Sequence, residues 1–509
     1  MKIFRAEQIR AIDAYTIQHE PVLSIDLMER AALACFKALE GKVNKNEPLH
    51  VFCGLGNNGG DGLALTRLLN QNGFNAMAYL IHHSDKASKD NQINHKRLKS
   101  SYPKKLQEIK DAAELSKLPK ERFKTIIDAL LGTGLNKAPE GLLADTIDFI
   151  NACPSATVYS IDVPSGLYGD VSSAQNIHRV KANCVLTFQF PKLGFLMAEN
   201  AEYVKNFEVL DIGLHPDAIA QQTTSFHYIG RDLISALLKH RTKFSHKGTH
   251  GHGLLLAGSR GKSGAAIIAA KACMKSGAGL LTVHSTKATL SALLQHLPEA
   301  MSSADSNPDY ISETHHPEKF EAIAFGPGVG MNEETQAVLK KILHYSTGAL
   351  LMDADGLNIL SENKTWLNFM PAHVILTPHV KEFDRLTVNH SSDFERLESA
   401  RQFAARYRCI LVLKSAHTAI AMPDGTVFFN STGNPGLAKA GSGDGLTGIL
   451  LGLLCRTYTP AQAALIGVYL HGLAADRCAK KMSMESMLIS DVIEDLPSAF
   501  LELEKSATI

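Results

Sequence analysis

The chain lacks any run of about 18 uninterrupted apolar residues, so no membrane-spanning helix is expected. It lacks an excess of charge: 52 basic residues stand against 51 acidic ones, and a net +1 gives no electrostatic reason for nucleic-acid binding. It lacks the C-x-x-C spacing of metal and redox sites. The eight cysteines, Cys35, Cys53, Cys153, Cys184, Cys273, Cys409, Cys455 and Cys478, are scattered, several in apolar runs where a buried free thiol is expected. A reducing cytoplasm suits that usage. The opening "MKIFRAEQIRAIDAYTI" has acidic residues and helical periodicity where a signal peptide would carry an apolar run, so none is expected. Short-period repeats and low-complexity tracts are also missing from the sequence.

What is present is enough apolar material for ordinary cores: 45% of the 509 residues are hydrophobic and 20% charged. At about 150 residues per domain, two to four domains are expected. Helical patterns at 5–19 and 24–40 open the chain. Apolar strand-like runs then alternate with helical ones, at 49–54, 74–81, 124–132, 157–162 and 184–190. A helix is expected from Asp61 to Asn70 and another near 141–152. Such alternation predicts a parallel sheet covered on both faces. The pattern breaks over 208–225, where Gly, Pro, Gln and Thr accumulate, and a boundary is expected at about residue 217. Alternation restarts with runs at 253–259, 279–285, 322–328, 349–356, 373–378 and 409–414. A hairpin is expected around Asp424-Gly425, and two apolar helices, 444–456 and 460–481, follow. The chain reads as two α/β domains joined head to tail.

Ligands of open α/β sheets bind beyond the carboxyl ends of the strands. Three loops in the first half fall there. "CGLGNNGGDG" (53–62) carries the spacing G-x-G-x-x-G at Gly54, Gly56 and Gly59; Asp128 leads into "GTGLNKAPEG"; Asp162 leads into "VPSG". Glycines let the backbone approach a phosphate, and the next helix offers free N–H groups. A tight strand-to-helix turn with Asp61 as helix cap is the plainer alternative. A dehydrogenase would have an acidic residue at the end of the second strand to hold the ribose. His82 and His83 stand there, and Asp61 replaces a small or apolar helix residue, so a dehydrogenase is disfavoured.

Together "GLGNNGGDGL", "DALLGTGL" and "IDVPSGLYGD" resemble the YjeF N-terminal domain, the NAD(P)H-hydrate epimerase, over residues 1–217. The resemblance implies a Rossmann-like fold that interconverts the R and S forms of hydrated NADH or NADPH. It implies substrate contacts from Asn57, Asn58, Gly59, Gly60 and Asp61, from Gly132, Thr133, Gly134, Leu135, Asn136, Lys137 and Ala138, and from Asp162 at the nicotinamide end. It implies a potassium ion on Asn58, Asp128 and Ser165, a ligand set whose oxygens suit a hard cation. Asp162 is the candidate for acid–base catalysis at the hydrate carbon; a plain turn-forming aspartate is the alternative.

In the second half, "NPGLAKAGSGDGLTGILLGLL" (434–454) brings a Gly-rich run, Ala440 to Gly443, to an apolar helix at Asp444. Amides at that N-terminus can form an anion hole for a phosphoryl group, with Asp444 beside it as base for a hydroxyl. A simple capped helix start is the alternative. The stretch resembles the G-x-G-D motif of ribokinase-like enzymes. The segment 246–283, "GPGVG" (326–330), "DADGLN" (353–358), "TPHVKEFDRL" (377–386) and "LKSAHT" (413–418) narrow the resemblance to the ADP- or ATP-dependent NAD(P)H-hydrate dehydratases, over 226–505. A ribokinase-like α/β domain is thereby expected to follow the Rossmann-like one.

The resemblance implies that ADP phosphorylates the hydroxyl of the S hydrate, after which phosphate leaves and NAD(P)H is restored. Asp444 would activate the hydroxyl. Lys414, Ser415, Ala416, His417, Thr418 and Gly443 would bind the nucleotide, and Gly264, Ala265, Gly328, Gly330, His379 and Asp444 the hydrate. Two positions depart from the family pattern: Ser415 replaces a glycine after Lys414, and Val380-Lys381 replace Pro-Gly. Mg2+ is expected with the nucleotide. His246, His250 and His252 lack the additional ligands of a zinc site. The expected partners are hydrated NADH and NADPH (NADHX and NADPHX) and ADP, with no nucleic acid and no membrane. A homo-oligomer is also expected, the apolar closing helices being able to pack between subunits or within one. A ribokinase-like small-molecule kinase fused to a non-catalytic nucleotide-sensing domain is the alternative function.

Overall fold

The computed structural model describes residues 1–20, 22–135 and 137–506. The chain divides into two compact units, the first centred on Lys2–Thr224 and the second on the residues from Ser225 onward.

The first unit holds seven parallel strands: β1 (Pro48–Cys53), β2 (Asn75–Ile81), β3 (Leu106–Ile109), β4 (Thr125–Ala129), β5 (Thr157–Ile161), β6 (Cys184–Phe188) and β7 (Phe207–Leu210). Their spatial order is β3-β2-β1-β4-β5-β6-β7. The order reverses between β1 and β4, where Phe52 lies opposite Asp128 and Cys53 opposite Ala129. Such a reversal opens a crevice at the carboxyl ends of the strands. Both faces of the sheet are covered: Leu49, Val51 and Cys53 pack under helices Ser24–Glu40 and Asn57–Gln71, while Phe52 joins Tyr79, Phe123 and Phe149 opposite. The helix expected from Asp61 begins earlier, at Asn57, so Asp61 lies inside it and is not its cap. Strands β3 and β7 carried no readable signal. Both are four-residue, half-buried strands at the sheet's edges, so their apolar pattern is weak.

The second unit holds β8 (Phe226–Tyr228), β9 (His252–Leu256), β10 (Leu280–Ser285), β11 (Met301–Ala304), β12 (Ala322–Phe325), β13 (Ala349–Met352), β14 (Ile375–Leu376), β15 (Ile410–Leu413), β16 (Ala419–Ala421) and β17 (Val427–Phe429). Their order is β11-β10-β9-β12-β13-β14-β15-β16-β17-β8, with a reversal between β9 and β12. The run from β11 to β15 is parallel. β16 and β17 form the antiparallel hairpin at Gly425, whose φ is +83°. Edge strands β8 and β11 were not read from the sequence; β11 is largely exposed and has no apolar run. Helices Ser442–Cys455 and Pro460–Ala479 bury Ile449, Leu450, Leu453, Ile466 and Leu470 in this unit's own core. A Cβ on Gly448 would stand 2.1 Å from the Ala269 carbonyl, so glycine is what lets helix Ser442–Cys455 approach helix Ser263–Lys275 so closely. Among the described residues no helix is long and apolar enough to cross a membrane.

Candidate active sites

In the first unit the glycines of the opening loop serve packing before they serve a ligand. A Cβ on Gly54 would lie 2.0 Å from the Leu130 carbonyl oxygen, and one on Gly59 only 1.8 Å from that of Gly54. Gly56, by contrast, faces open space. The buried Asn91 Nδ2 donates to the carbonyls of Gly54 (3.0 Å) and Gly56 (3.1 Å), and Asn94 Nδ2 to Gly60 (3.3 Å). Helix Lys89–Ser101 therefore braces the loop from the β2 side.

The polar groups gather instead toward β4 and β5. Asn58 is buried, and its Nδ2 donates to the carbonyls of Leu131 (2.8 Å) and Ile161 (3.2 Å). Its Oδ1 is buried with no partner among the described residues. Asp128, fully buried, accepts from Ser160 Oγ (2.8 Å), from the Ser165 amide (2.9 Å), from Ser165 Oγ (2.5 Å) and from the Leu130 amide (3.2 Å). Burial pushes its carboxyl upward, and the hydrogen bonds from Ser165, Ser160 and Leu130 oppose this. Ser165 Oγ also reaches the Leu131 carbonyl at 3.3 Å, so Asn58 and Ser165 meet at one backbone oxygen and Ser165 links that point to Asp128.

Asp162, at the end of β5, has φ +63°, a region unusual for a residue with a side chain. Its Oδ1 lies 2.9 Å from Lys192 Nζ, and its Oδ2 accepts from the Thr133 amide at 3.4 Å. Asp13 and Asp61 complete an acidic group. Burial, with Asp162 adding repulsion, raises Asp13 to about 6; burial, then Asp162 and Asp13, hold Asp61 well above the carboxylate range. Asn57, Gly134, Lys137 and Ala138 are exposed, whereas Gly59, Gly60 and Asp61 are buried and Gly132, Thr133 and Leu135 half-buried. Asn136 lies outside the described residues. The residues missed in the sequence are Lys192, Asn91, Asn94 and Asp13. Lys192 left one trace, a lysine inside the apolar "FQFPKLGFL".

In the second unit the strand-end loops again converge. Ser259 Oγ donates to the Gly328 carbonyl (2.7 Å), and a Cβ on Gly328 would lie 3.3 Å from that of Ala265. The space beside Gly264 is open. The Gly330 amide (2.9 Å) and Lys262 Nζ (3.1 Å) both donate to Asp355 Oδ2. His379 and Glu382 form a reciprocal cap on helix Val380–Leu386 and leave the His379 ring half exposed. Lys381 points to the exposed side. His379 ladders with Lys414, whose amide donates to Pro378 at 2.9 Å. Beyond Lys414, the Ser415 amide and Thr418 Oγ1 close a turn around Ala416 and His417 (3.4 Å). Ser415 does not occupy the left-handed region, so a glycine is not required there.

Lys414 Nζ pairs with Asp353 Oδ1 at 2.8 Å, and Thr447 Oγ1 donates to Asp353 Oδ2 at 2.8 Å. Burial acts upward on Asp353, but Lys414, Thr447 and Thr377 outweigh it and keep the group below the carboxylate range. Burial likewise disfavours the Lys414 charge, and Asp353, Glu382 and Asp444 reverse this to hold it above the usual lysine value. Gly443 lies over the pair: a Cβ there would be 3.5 Å from both charged atoms. Gly441 turns the chain into helix Ser442–Cys455 with φ +89°. Asp444, in that helix's first turn, is raised to about 6 by burial and by Asp353, against the pull of Lys414. Asp353, Asp355, Lys262 and Thr447 join these strand-end loops without a signal of their own in the sequence, although "DADGLN" contains two of them. Of the three histidines near 250, His252 Nε2 engages Thr282 Oγ1 at 2.8 Å.

Two parallel-sheet units, each with charged groups gathered at its own strand ends, define a two-site α/β enzyme architecture. The family model described as NAD(P)H-hydrate dehydratase matches residues 253–498, and that of the YjeF-related protein N-terminus matches residues 24–194. The bifunctional NAD(P)H-hydrate repair enzyme Nnr of Moorella thermoacetica is 32% identical, over 99% of this chain and 98% of its own length. The enzyme of the same name from Escherichia coli is 31% identical, over 92% of this chain and 88% of its own. A ribokinase-like superfamily protein from Enterococcus faecalis, known from a crystal structure, is 29% identical and has a TM-score of 0.50, covering 55% of this chain and 98% of its own. The chain belongs to the bifunctional NAD(P)H-hydrate repair enzymes. The expected Rossmann-like and ribokinase-like pairing is thereby met, and a small-molecule kinase fused to a sensing domain is not favoured.

Proposed function

We propose that residues 1–217 epimerise hydrated NADH and NADPH and that residues 226–505 dehydrate the S form at the expense of ADP, giving NAD(P)H, AMP and phosphate. The observation that carries the reading is Asp444: a carboxyl raised to about 6 at a Gly-rich helix N-terminus, with Lys414 and Asp353 beneath it. A base poised near neutral pH beside an anion-binding terminus is what phosphorylation of a hydroxyl needs.

In the dehydratase, Asp444 takes the proton of the substrate hydroxyl. The hydroxyl oxygen bonds to the β-phosphorus as the bond to AMP breaks. Phosphate then leaves with the C–O pair, and loss of a proton from the adjacent carbon restores the ring double bond. Ala440 to Gly443 hold the phosphoryl group; Lys414, Ser415, Ala416, His417 and Thr418, with Gly443, hold the nucleotide. Gly264, Ala265, Gly328, Gly330 and His379 line the hydrate site. Both oxygens of Asp353 are engaged by protein partners, and the described residues contain no cluster of three or more His, Cys, Asp or Glu able to hold a metal. Mg2+ would enter with the nucleotide and neutralise the charge of its phosphates.

In the epimerase, the hydroxyl-bearing carbon of the hydrate is bonded to the ring nitrogen. Inversion follows when the protonated hydroxyl leaves as water, the nitrogen pair forms C=N, and water adds to the opposite face and returns the proton. Asp162 is the acid–base group at that carbon. Asn57 to Asp61 and the loop Gly132 to Ala138 hold the dinucleotide. The unpartnered Asn58 Oδ1, with Asp128 and Ser165, offers an oxygen set that fits K+, which would fix the loop. Eight free cysteines, seven of them buried, agree with a reducing cytoplasm. The test is to supply a mixture of both hydrate epimers with ADP and Mg2+ and follow NADH absorbance. Complete recovery is expected; recovery of the S half alone would remove the epimerase, and none at all the whole reading.

A further inference from the structure

Lys192 is buried, with 2% of its surface exposed, and its ammonium is caged by oxygen. It donates to Thr187 Oγ1 (2.8 Å) and to the carbonyls of Phe188 (3.1 Å) and Phe190 (3.2 Å), and it stands 2.9 Å from Asp162 Oδ1. These partners come from the end of β6 and the turn after it, so the cation is held by backbone that cannot readily move. The carboxylate it faces is held as firmly. The Asp162 amide donates to the Leu186 carbonyl at 2.8 Å, and the residue is kept at φ +63°. Backbone strain of this kind persists where the surroundings over-determine it, and it clusters at functional sites. With Oδ1 clamped, Oδ2 has one direction left. It lies 3.4 Å from the Thr133 amide and 3.4 Å from where a Cβ of Gly132 would stand.

We propose that Lys192 is the positioning residue of the epimerase: it pins one oxygen of Asp162 so that the other faces the reacting carbon of a substrate held on the Gly132–Thr133 loop. The proposal rests on the epimerase reading above. Oδ1 has the short contact to Lys192 at 2.9 Å, whereas Oδ2 has only the long bond from the Thr133 amide at 3.4 Å. Two other carboxyls face the pair, Asp13 from helix Ala6–His19 and Asp61 from helix Asn57–Gln71. Lys192 is the cation that opposes their mutual repulsion, and its charge acts directly on Asp13. Without it, Asp13 would hold its proton to higher pH.

The experiment is R-to-S conversion by the full-length protein without ADP, with the epimers separated chromatographically, at a series of pH values. For Lys192→Met, kcat is expected to fall about 100-fold, the scale of one acid–base contribution, with KM within about 2-fold of the parent. The low-pH fall in rate should begin at a higher pH. Lys192→Arg keeps the charge and should return that fall to its parent position while kcat stays reduced, because a guanidinium cannot sit in an ammonium cage. Parent-like kcat and pH profile in Lys192→Met would overturn the proposal, as would a loss confined to KM or to melting temperature. If Lys192→Met does not fold, parent-like kcat in Lys192→Arg overturns it instead. If the parent protein itself leaves the epimers unconverted, the epimerase reading falls, and this proposal with it.

Discussion

Lys414 and Asp353, at the ends of β15 and β13 with β14 between them, meet at 2.8 Å directly beneath Gly443. Asp353 is 2% exposed, and its second oxygen is taken by Thr447. The pair lies at the N-terminus of helix Ser442–Cys455, and Asp353 without Lys414 would be a buried, uncompensated charge. Lys414→Met should therefore destabilise the second unit by about 3 kcal/mol, the usual result of removing one half of a buried pair. Denaturant unfolding of that unit checks it. A loss of nucleotide binding with unchanged stability would show that Lys414 serves the ligand alone.

Asp444 should separate the two activities and reveal a cost. Asp444→Asn is expected to abolish ADP-dependent recovery of NADH and leave epimerisation intact. The folded carboxyl is raised to about 6 from its ordinary 3.8. Its ionisation therefore opposes folding above pH 6, and the penalty disappears as pH falls through about 4. Removing the charge should stabilise the protein at pH 7 by about 1 to 2 kcal/mol after allowance for partial solvation, with no gain at pH 4. In the parent, dehydration should fall away below about pH 6 as Asp444 takes up its proton. Thermal melting at the two pH values and the pH–rate profile are the measurements.

The three glycines of the opening loop should respond unequally. Gly59→Ala and Gly54→Ala drive a Cβ into backbone carbonyls at 1.8 and 2.0 Å, and each should cost about 3 kcal/mol or more. Gly56 has open space and φ −81°, so Gly56→Ala should change stability by less than about 1 kcal/mol. Melting curves of the three variants decide this.

Ser415 stands where the family usually has glycine, yet its backbone does not enter the left-handed region. Ser415→Gly should alter KM for ADP by less than about 2-fold, since no strain is there to relieve. A larger improvement would mean that the serine hydroxyl obstructs the nucleotide.

The sequence by itself determined the two α/β units, the strand ends that carry chemistry, and the loops 53–62, 128–138, 162–165 and 434–445. These signals are local: a strand, a glycine turn and a helix start are contiguous residues whose spacing reflects backbone geometry. Short edge strands such as β3 and β11 escaped because a few half-buried residues leave no period. The tertiary structure decided the rest. It set Lys192 against Asp162 and Lys414 against Asp353, placed Asn91 and Asn94 under the loop, and turned Asn58 toward β4 and β5. Those partners lie on different strands and helices. Which charges share a desolvated space depends on strand order, and strand order is a property of the packed sheet that no local spacing records.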